Sequence, residues 1–294
     1  MILAPEILKP RITFSTRISM SLYSKLGDTL LKDILADIIA ASNDLQIEFF
    51  GVGALARNTW YIENDLPARG TKDVDFGVYI PNEAVYSQLK NKLIEDYNYV
   101  ASSTNAFCLL SLHEIPVDLL PFGEIENDGK VLVDGKGLTT IRLDGFKEVH
   151  LNGLKQVNIE GDIFNVCTIP SVVLLKLIAF DDRPEQRAKD PLDISSIFKV
   201  YPDIESDFIW EAYSFLYEGK LSHDAVAVKV IGFEVRKLIA DNTALLNRVN
   251  GILDDAVSGR SKFATHMIED GRKETVAIMI ERLVLFKQGL NKER

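Results

Sequence analysis

Apolar residues recur along this chain with two periods, and the periods assign the elements. Between Met20 and Asn43 the residues Leu22, Leu26, Leu30, Leu31, Ile34, Leu35, Ile38 and Ile39 are spaced three and four apart, the stripe of an amphipathic helix. Gln46–Val52 is short, apolar and aromatic, which predicts a buried strand that Gly51 and Gly53 bring to an end. A helix is predicted over Ala54–Ile62, stopped by Pro67 and Gly70. Asp73–Ile80 alternates polar and apolar residues before Pro81, so it reads as a strand. Asn82 is a good N-cap for a helix over 83–96.

Ala106–Leu112 and Ile115–Leu120 are strand-like runs, and Pro116 predicts an edge position or an irregularity in the second. Several short strands are expected between Glu124 and Val166, separated by turn signals at Asn127-Asp128-Gly129, Asp134-Gly135, Asp144-Gly145 and Glu160-Gly161. After Ile169-Pro170 the texture turns helical, over 171–182, 184–199, about 205–218, about 222–240, 242–256 and 272–288. Pro170 suits a first helical turn, where its missing N–H costs nothing. An α/β half, residues 1–167, is thus followed by an all-helical half, residues 168–294.

Composition narrows the function classes. Apolar residues make up 47% and charged residues 26%, the balance of a globular chain with a core of its own. No apolar run approaches the roughly 20 residues of a membrane helix. The net charge of −10 excludes a general polyanion binder, so any nucleic-acid contact must use a local patch. From Gly259 to Arg294, eight basic residues stand against five acidic ones, which offers either a solvated helix face or an RNA-acceptor patch. Cys108 and Cys167 read as two buried thiols, and the first 14 residues lack the order of a signal peptide, so a cytoplasmic location is expected.

Three short stretches carry chemistry. Asp73 and Asp75 are two apart on one strand, so their carboxylates share a face and suit a hard cation such as Mg²⁺. A solvated strand face is the plainer alternative. Phe50-Gly-Val-Gly-Ala-Leu-Ala-Arg57 is a strand, a glycine turn and a helix start, where backbone N–H groups can meet a phosphate. Such glycines also have a purely conformational use. Asp118 lies among apolar neighbours on a later strand and must face a cation or a donor there.

In this order the stretches resemble the nucleotidyltransferase superfamily with a polymerase β-like palm. Gly53-Ala54-Leu55-Ala56-Arg57 and Arg69-Gly-Thr71-Lys-Asp73-Val-Asp75-Phe76 are most similar to the AbiEii-type bacterial members. A later segment with Lys176, Ala179, Arg183, Arg187, Lys189, Asp190 and Asp193 extends the likeness, which covers about residues 45–200. One position departs: Val52 stands where many members carry a second glycine or a serine, which predicts a restricted loop.

The resemblance implies an α+β fold, a mixed β-sheet nucleotidyltransferase palm with flanking helices followed by an all-helical C-terminal domain. It implies an NTP substrate, two Mg²⁺ ions held by Asp73, Asp75 and Asp118, and transfer of NMP to a hydroxyl. Asp118 would also assist deprotonation of that hydroxyl. Gly51, Gly53 and Ala54 would cradle phosphates, with Arg57 and Arg69 neutralising them. Thr71 would fix the turn, and Lys176 and Lys189 would contact the triphosphate or line the cleft. The acceptor would be a tRNA 3′ end, a protein or a small molecule, and members often act as toxins with an antitoxin partner. Metal-dependent glycosyl transfer through Asp-x-Asp and a nucleotide-binding module without activity are the rival readings.

Overall fold

In Asp73–Ile80 the side chains of Val74, Phe76, Val78 and Ile80 are buried while Asp73, Asp75 and Tyr79 stay at least partly open, so the alternation builds the strand it predicts. The computed structural model describes residues 30–68, 70–269 and 274–292. Its elements are α1 (Leu30–Leu45), β1 (Phe49–Gly51), α2 (Gly53–Glu63), β2 (Val74–Tyr79), α3 (Glu83–Tyr97), β3 (Val100–Ala101), β4 (Cys108–Leu110) and β5 (Pro116–Phe122). Then come β6 (Val131–Leu132), β7 (Thr140–Ile141), α4 (Phe146–Asn152), β8 (Leu154–Ile159) and β9 (Asp162–Cys167). The rest is helical: α5 (Ile169–Asp182), α6 (Asp190–Ile204), α7 (Ser206–Tyr213), α8 (His223–Leu238), α9 (Thr243–Ser258), α10 (Phe263–His266) and α11 (Val276–Leu290).

Seven strands form one mixed sheet in the order β3-β4-β5-β2-β1-β9-β8. β2 runs parallel to β5 and antiparallel to β1, and β1 runs parallel to β9. The α+β architecture, a mixed sheet with flanking helices followed by C-terminal helices, is therefore the one expected. One apolar cluster runs from the sheet into the helices, joining Phe76 and Leu119 to Val172, Val226 and Phe286. Both cysteines are buried free thiols. Among the described residues, no helix is long and apolar enough to cross a membrane.

Several elements differ from the sequence reading. The first helix is described only from Leu30, since residues 20–29 lie outside the described range. β5 is an interior strand despite Pro116, because that proline occupies its first position, where no ladder N–H is required. Residues 146–152 form a short helix, α4, instead of a strand; Gly145, at φ 90°, starts it. The helix expected over 184–199 begins only at Asp190, and 183–189 is a loop of turns. Pro191 sits in the first turn of α6 and Pro184 follows α5, so the two prolines bracket the loop. That loop shapes the site.

The far end of the sheet's polar face is closed by rings. Phe50, Phe122 and Phe146 meet there, with His150 stacked on Tyr79 at 5.3 Å between centroids. α4 supplies Phe146 and His150, so this unexpected helix walls off one end of the cavity beside the sheet.

Candidate active site

β2 and β5 lie side by side in parallel, with Asp75 opposite Asp118. Residues in register share a face, so these two carboxylates emerge together, away from the face that carries Phe76 and Leu119. Asp73, two residues earlier, points the same way. The Thr71 hydroxyl donates to the Asp73 carbonyl at 2.8 Å and lies 2.9 Å from Asp73 Oδ1, which ties down the turn into β2. Asn105 Nδ2 donates to Asp118 Oδ1 at 3.3 Å.

Asp75 and Asp118 feel their acidic neighbours. Burial, then the charges of Asp118 and Asp73, push the Asp75 carboxyl up to about 7, against a pull from Arg187 and Lys176. Burial also raises Asp118; the neighbouring Cys108 thiol opposes this, Asp73 adds to it, and Arg187 and Arg183 oppose it. A group of carboxylates that resists joint ionisation is poised for a cation.

A cavity of about 640 Å³ opens over this floor, lined among others by Gly53, Ala54, Asp73, Asp75 and Arg187. Asp118 is not among the lining residues, while Leu120, two residues on along the same strand face, is. Gly53 is at φ +57°, and a Cβ there would stand 2.5 Å from Asp75 Oδ2, so no other residue fits between helix and carboxylate. Val52, the N-cap of α2, is in ordinary extended backbone and offers no side-chain cap. Its side chain thus imposes no unusual φ, and Gly53 and Ala54 at the start of α2 line the cavity, where the first N–H groups of a helix suit an anion. Gly51 does not line the cavity. It is buried at the end of β1, where a Cβ would meet Leu55 Cδ2 at 2.8 Å, so its use is packing.

Two expected phosphate ligands are engaged elsewhere. Buried Arg57 forms an ion pair with Asp193 and donates to Asn58 Oδ1 at 3.0 and 3.2 Å. Lys176 Nζ lies 2.6 Å from Asp190 Oδ1 and 2.8 Å from Asp193 Oδ2. Burial works against the Lys176 charge, but those two aspartates outweigh it and raise its pKa. Two cations and two carboxylates thus balance in a clamp that ties α2, α5 and α6 together. The sequence could not show this, because Asp193 is 136 residues from Arg57.

Lys189 is exposed at the cavity rim. Arg69 lies outside the described residues.

Two further cations are Arg183 and Arg187, to which the sequence reading gave no role. Both line the cavity, and neither side chain makes a hydrogen bond or ion pair among the described residues. Burial and the charge of Arg187 lower the Arg183 pKa, against Asp182 and Asp118. Two like charges held close over an acidic floor, with no ion pair among the described residues, leave room for a polyanion. Pro184 and Pro191 were the available signal that these arginines lie on a loop and not on a helix face.

The acidic floor also bears on metal binding. No three or more His, Cys, Asp or Glu among the described residues stand assembled to hold a metal by themselves. The donors are hard carboxylate oxygens in mutual repulsion, which fits a Mg²⁺-like ion whose shell is completed by ligand phosphates. In the tail, Arg260 pairs with Asp255 at 2.6 Å, Arg282 with Glu274 at 3.1 Å, and Lys287 with Asp254. Three basic residues of this tail, read as either a solvated helix face or an RNA-acceptor patch, are thereby neutralised locally.

No protein-family model matches the chain, and no curated protein matches it. Among solved structures, the chain is similar to the antibiotic-resistance factor ANT(2″)-Ia at 11% identity and TM-score 0.37, over 81% of this chain and 95% of that one. It is similar to an antigenic nucleotidyltransferase-like protein from Paracoccidioides brasiliensis at 10% identity and TM-score 0.38, over 80% and 92%. It is also similar to the Thermotoga maritima CCA-adding enzyme, solved with tRNA, at 10% identity and TM-score 0.25, over 94% and 86%. All three likenesses are distant.

Proposed function

We propose that this chain is a magnesium-dependent nucleotidyltransferase that moves NMP from an NTP to a hydroxyl acceptor and releases pyrophosphate. One observation carries the reading: Asp75 and Asp118 in register on adjacent strands, with Asp73 on the same face, beside a cavity lined by the Gly53 turn and by two arginines that have no ion pair among the described residues. We take residues 1–167 as the catalytic unit and 168–294 as the helical unit that closes the cavity.

Asp73, Asp75 and Asp118 would hold the metal. Bound there, Mg²⁺ supplies neutralisation of phosphate charge and orientation of the attacking and leaving oxygens. The N–H groups at Gly53 and Ala54 hold phosphate oxygens at the start of α2. Arg183, Arg187 and Lys189 take the triphosphate charge that Arg57 and Lys176 are not free to meet. Asp118, its pKa raised, accepts the proton of the acceptor hydroxyl. Thr71 holds Asp73 in place.

The test is incubation with Mg²⁺, each α-³²P-labelled NTP and total RNA. Label should move to an acceptor, and Asp73→Ala should stop it with the fold intact. Full activity of Asp73→Ala overturns the site. Mg²⁺-dependent NTP binding with no transfer to RNA, protein or small molecules marks a binding module, and UDP-sugar turnover marks glycosyl transfer. The toxin role with an antitoxin-like partner rests on the resemblance alone, and a small adjacent reading frame would support it.

A further inference from the structure

The row of side chains that holds Asp75 and Asp118 continues across the sheet. Cys108 stands opposite Asp118 on β4, and the Ser102 N–H donates to the Cys108 carbonyl at 3.1 Å. Asp75, Asp118, Cys108 and Ser102 therefore follow one another from the middle of the sheet to its edge. The large cavity opens at the Asp75 end.

A second cleft, of about 290 Å³, opens at the other end, lined by Lys90, Ser102, Ser103, Cys108 and Lys136. Its far wall is a pinned loop. The Ala106 N–H donates to the Leu138 carbonyl at 2.9 Å and the Leu138 N–H to the Thr104 carbonyl at 3.0 Å. Gly135 packs so tightly that a Cβ there would lie 2.6 Å from the Ala106 Cβ. Lys136 is thereby held on the rim.

The charges in this cleft are one-sided. Half-buried Lys90 donates from Nζ to the Ala106 carbonyl at 2.7 Å and has no carboxylate partner among the described residues; burial lowers its pKa. Lys136 is exposed and likewise unpaired among them. A partly desolvated ammonium without a counter-ion, next to serine hydroxyls, favours an anion with several acceptor oxygens. The buried Cys108 thiol lines this cleft and neighbours Asp118, so a single side chain separates the cleft from the proposed base.

We propose that this edge cleft is the acceptor subsite and takes a phosphate-bearing hydroxyl compound. Its phosphate sits between Lys90, Lys136 and the hydroxyls of Ser102 and Ser103, and its free hydroxyl reaches Asp118. In the reaction the hydroxyl proton passes to Asp118, the acceptor oxygen bonds to the α-phosphorus, and the bond from that phosphorus to the leaving oxygen breaks, releasing pyrophosphate. The subsite rests on the nucleotidyltransferase reading of the large cavity.

The test uses the full chain with two probes, a short RNA oligonucleotide with a free 3′-hydroxyl and ribose 5-phosphate, with ribose as control. Each is titrated against wild type, Lys90→Met and Lys136→Glu, and NTP binding is titrated separately. Lys136→Glu changes an exposed loop residue, so its fold serves as the internal control. Each variant should weaken the phosphate-bearing probe about tenfold or more while NTP affinity stays within about twofold. Loss confined to the oligonucleotide identifies a polynucleotide end, and loss confined to ribose 5-phosphate identifies a small phosphorylated acceptor. Probe binding that ignores both lysines, or no probe binding beside intact NTP binding, overturns the subsite alone. A wild-type chain that binds no NTP overturns the underlying reading, and the subsite with it.

Discussion

Two charged clusters share one cavity wall and are built on opposite plans. In the clamp, Arg57, Lys176, Asp190 and Asp193 are largely buried and answer one another sign for sign. On the floor, Asp73, Asp75 and Asp118 are like charges brought together by strand register, and the arginines facing them are also like charges without partners among the described residues. The buried charges offset one another and hold helices in place, with Asp190 Oδ2 left as a buried oxygen without a hydrogen-bond partner among the described residues. Gathered like charges destabilise the empty protein and are relieved only by something that enters. The difference separates a structural lysine and arginine from the residues suited to a metal and a polyphosphate.

The comparison can be broken most sharply at the floor. Asp75→Asn keeps the shape and removes the charge; transfer should fall about a thousandfold or more, while thermal stability holds or rises. Single-turnover transfer beside a melting curve checks both halves. Retained transfer would remove Asp75 from the chemistry.

Lys176→Ala tests the clamp from the other side. It leaves Asp190 and Asp193 buried with one cation fewer, so urea unfolding should show a loss of about 3–5 kcal/mol. A variant of full stability that binds NTP poorly would make the clamp a ligand site and erase the contrast.

A smaller effect is expected at Arg187→Ala. NTP affinity should weaken about tenfold to a hundredfold without loss of stability, since the change also relieves repulsion with Arg183. Isothermal titration and melting read the two quantities.

The gentlest test is pH. The Asp75 carboxyl lies at about 7 in the folded chain, against an ordinary 3.8. The folded state therefore holds this proton more tightly than the unfolded state, so metal-free stability should decline as pH rises from about 4 to about 7. Asp75→Asn should flatten that decline. Mg²⁺ affinity should rise with pH and level off above about 7, and calorimetry at several pH values would show either that rise or a flat line that rejects it.

Much of the fold was legible because local rules governed it. Asn82 caps α3 by accepting from the Val85 N–H, and Pro170 sits in the first turn of α5, each as its chemistry dictates. The short pieces were not legible. α4 depends on Gly145 and on rings that it meets across the sheet, and β3 has two residues, too few to show a period. The site followed the same division. Asp73 and Asp75 declare themselves by spacing, whereas Arg187 was hidden in a segment that looked helical and Arg183 in the break just before it.

By itself the chain's order of residues determined which side chains alternate, where helices start, and that two carboxylates must share a strand face, because these depend on neighbours within one turn or one pleat. Only the tertiary structure decided which of the cations around the cavity were already spoken for. Pairing of Arg57 with Asp193 and of Asp75 with Asp118 joins residues far apart in the chain, and such partnerships are set by register, loop course and the cost of leaving charge buried alone.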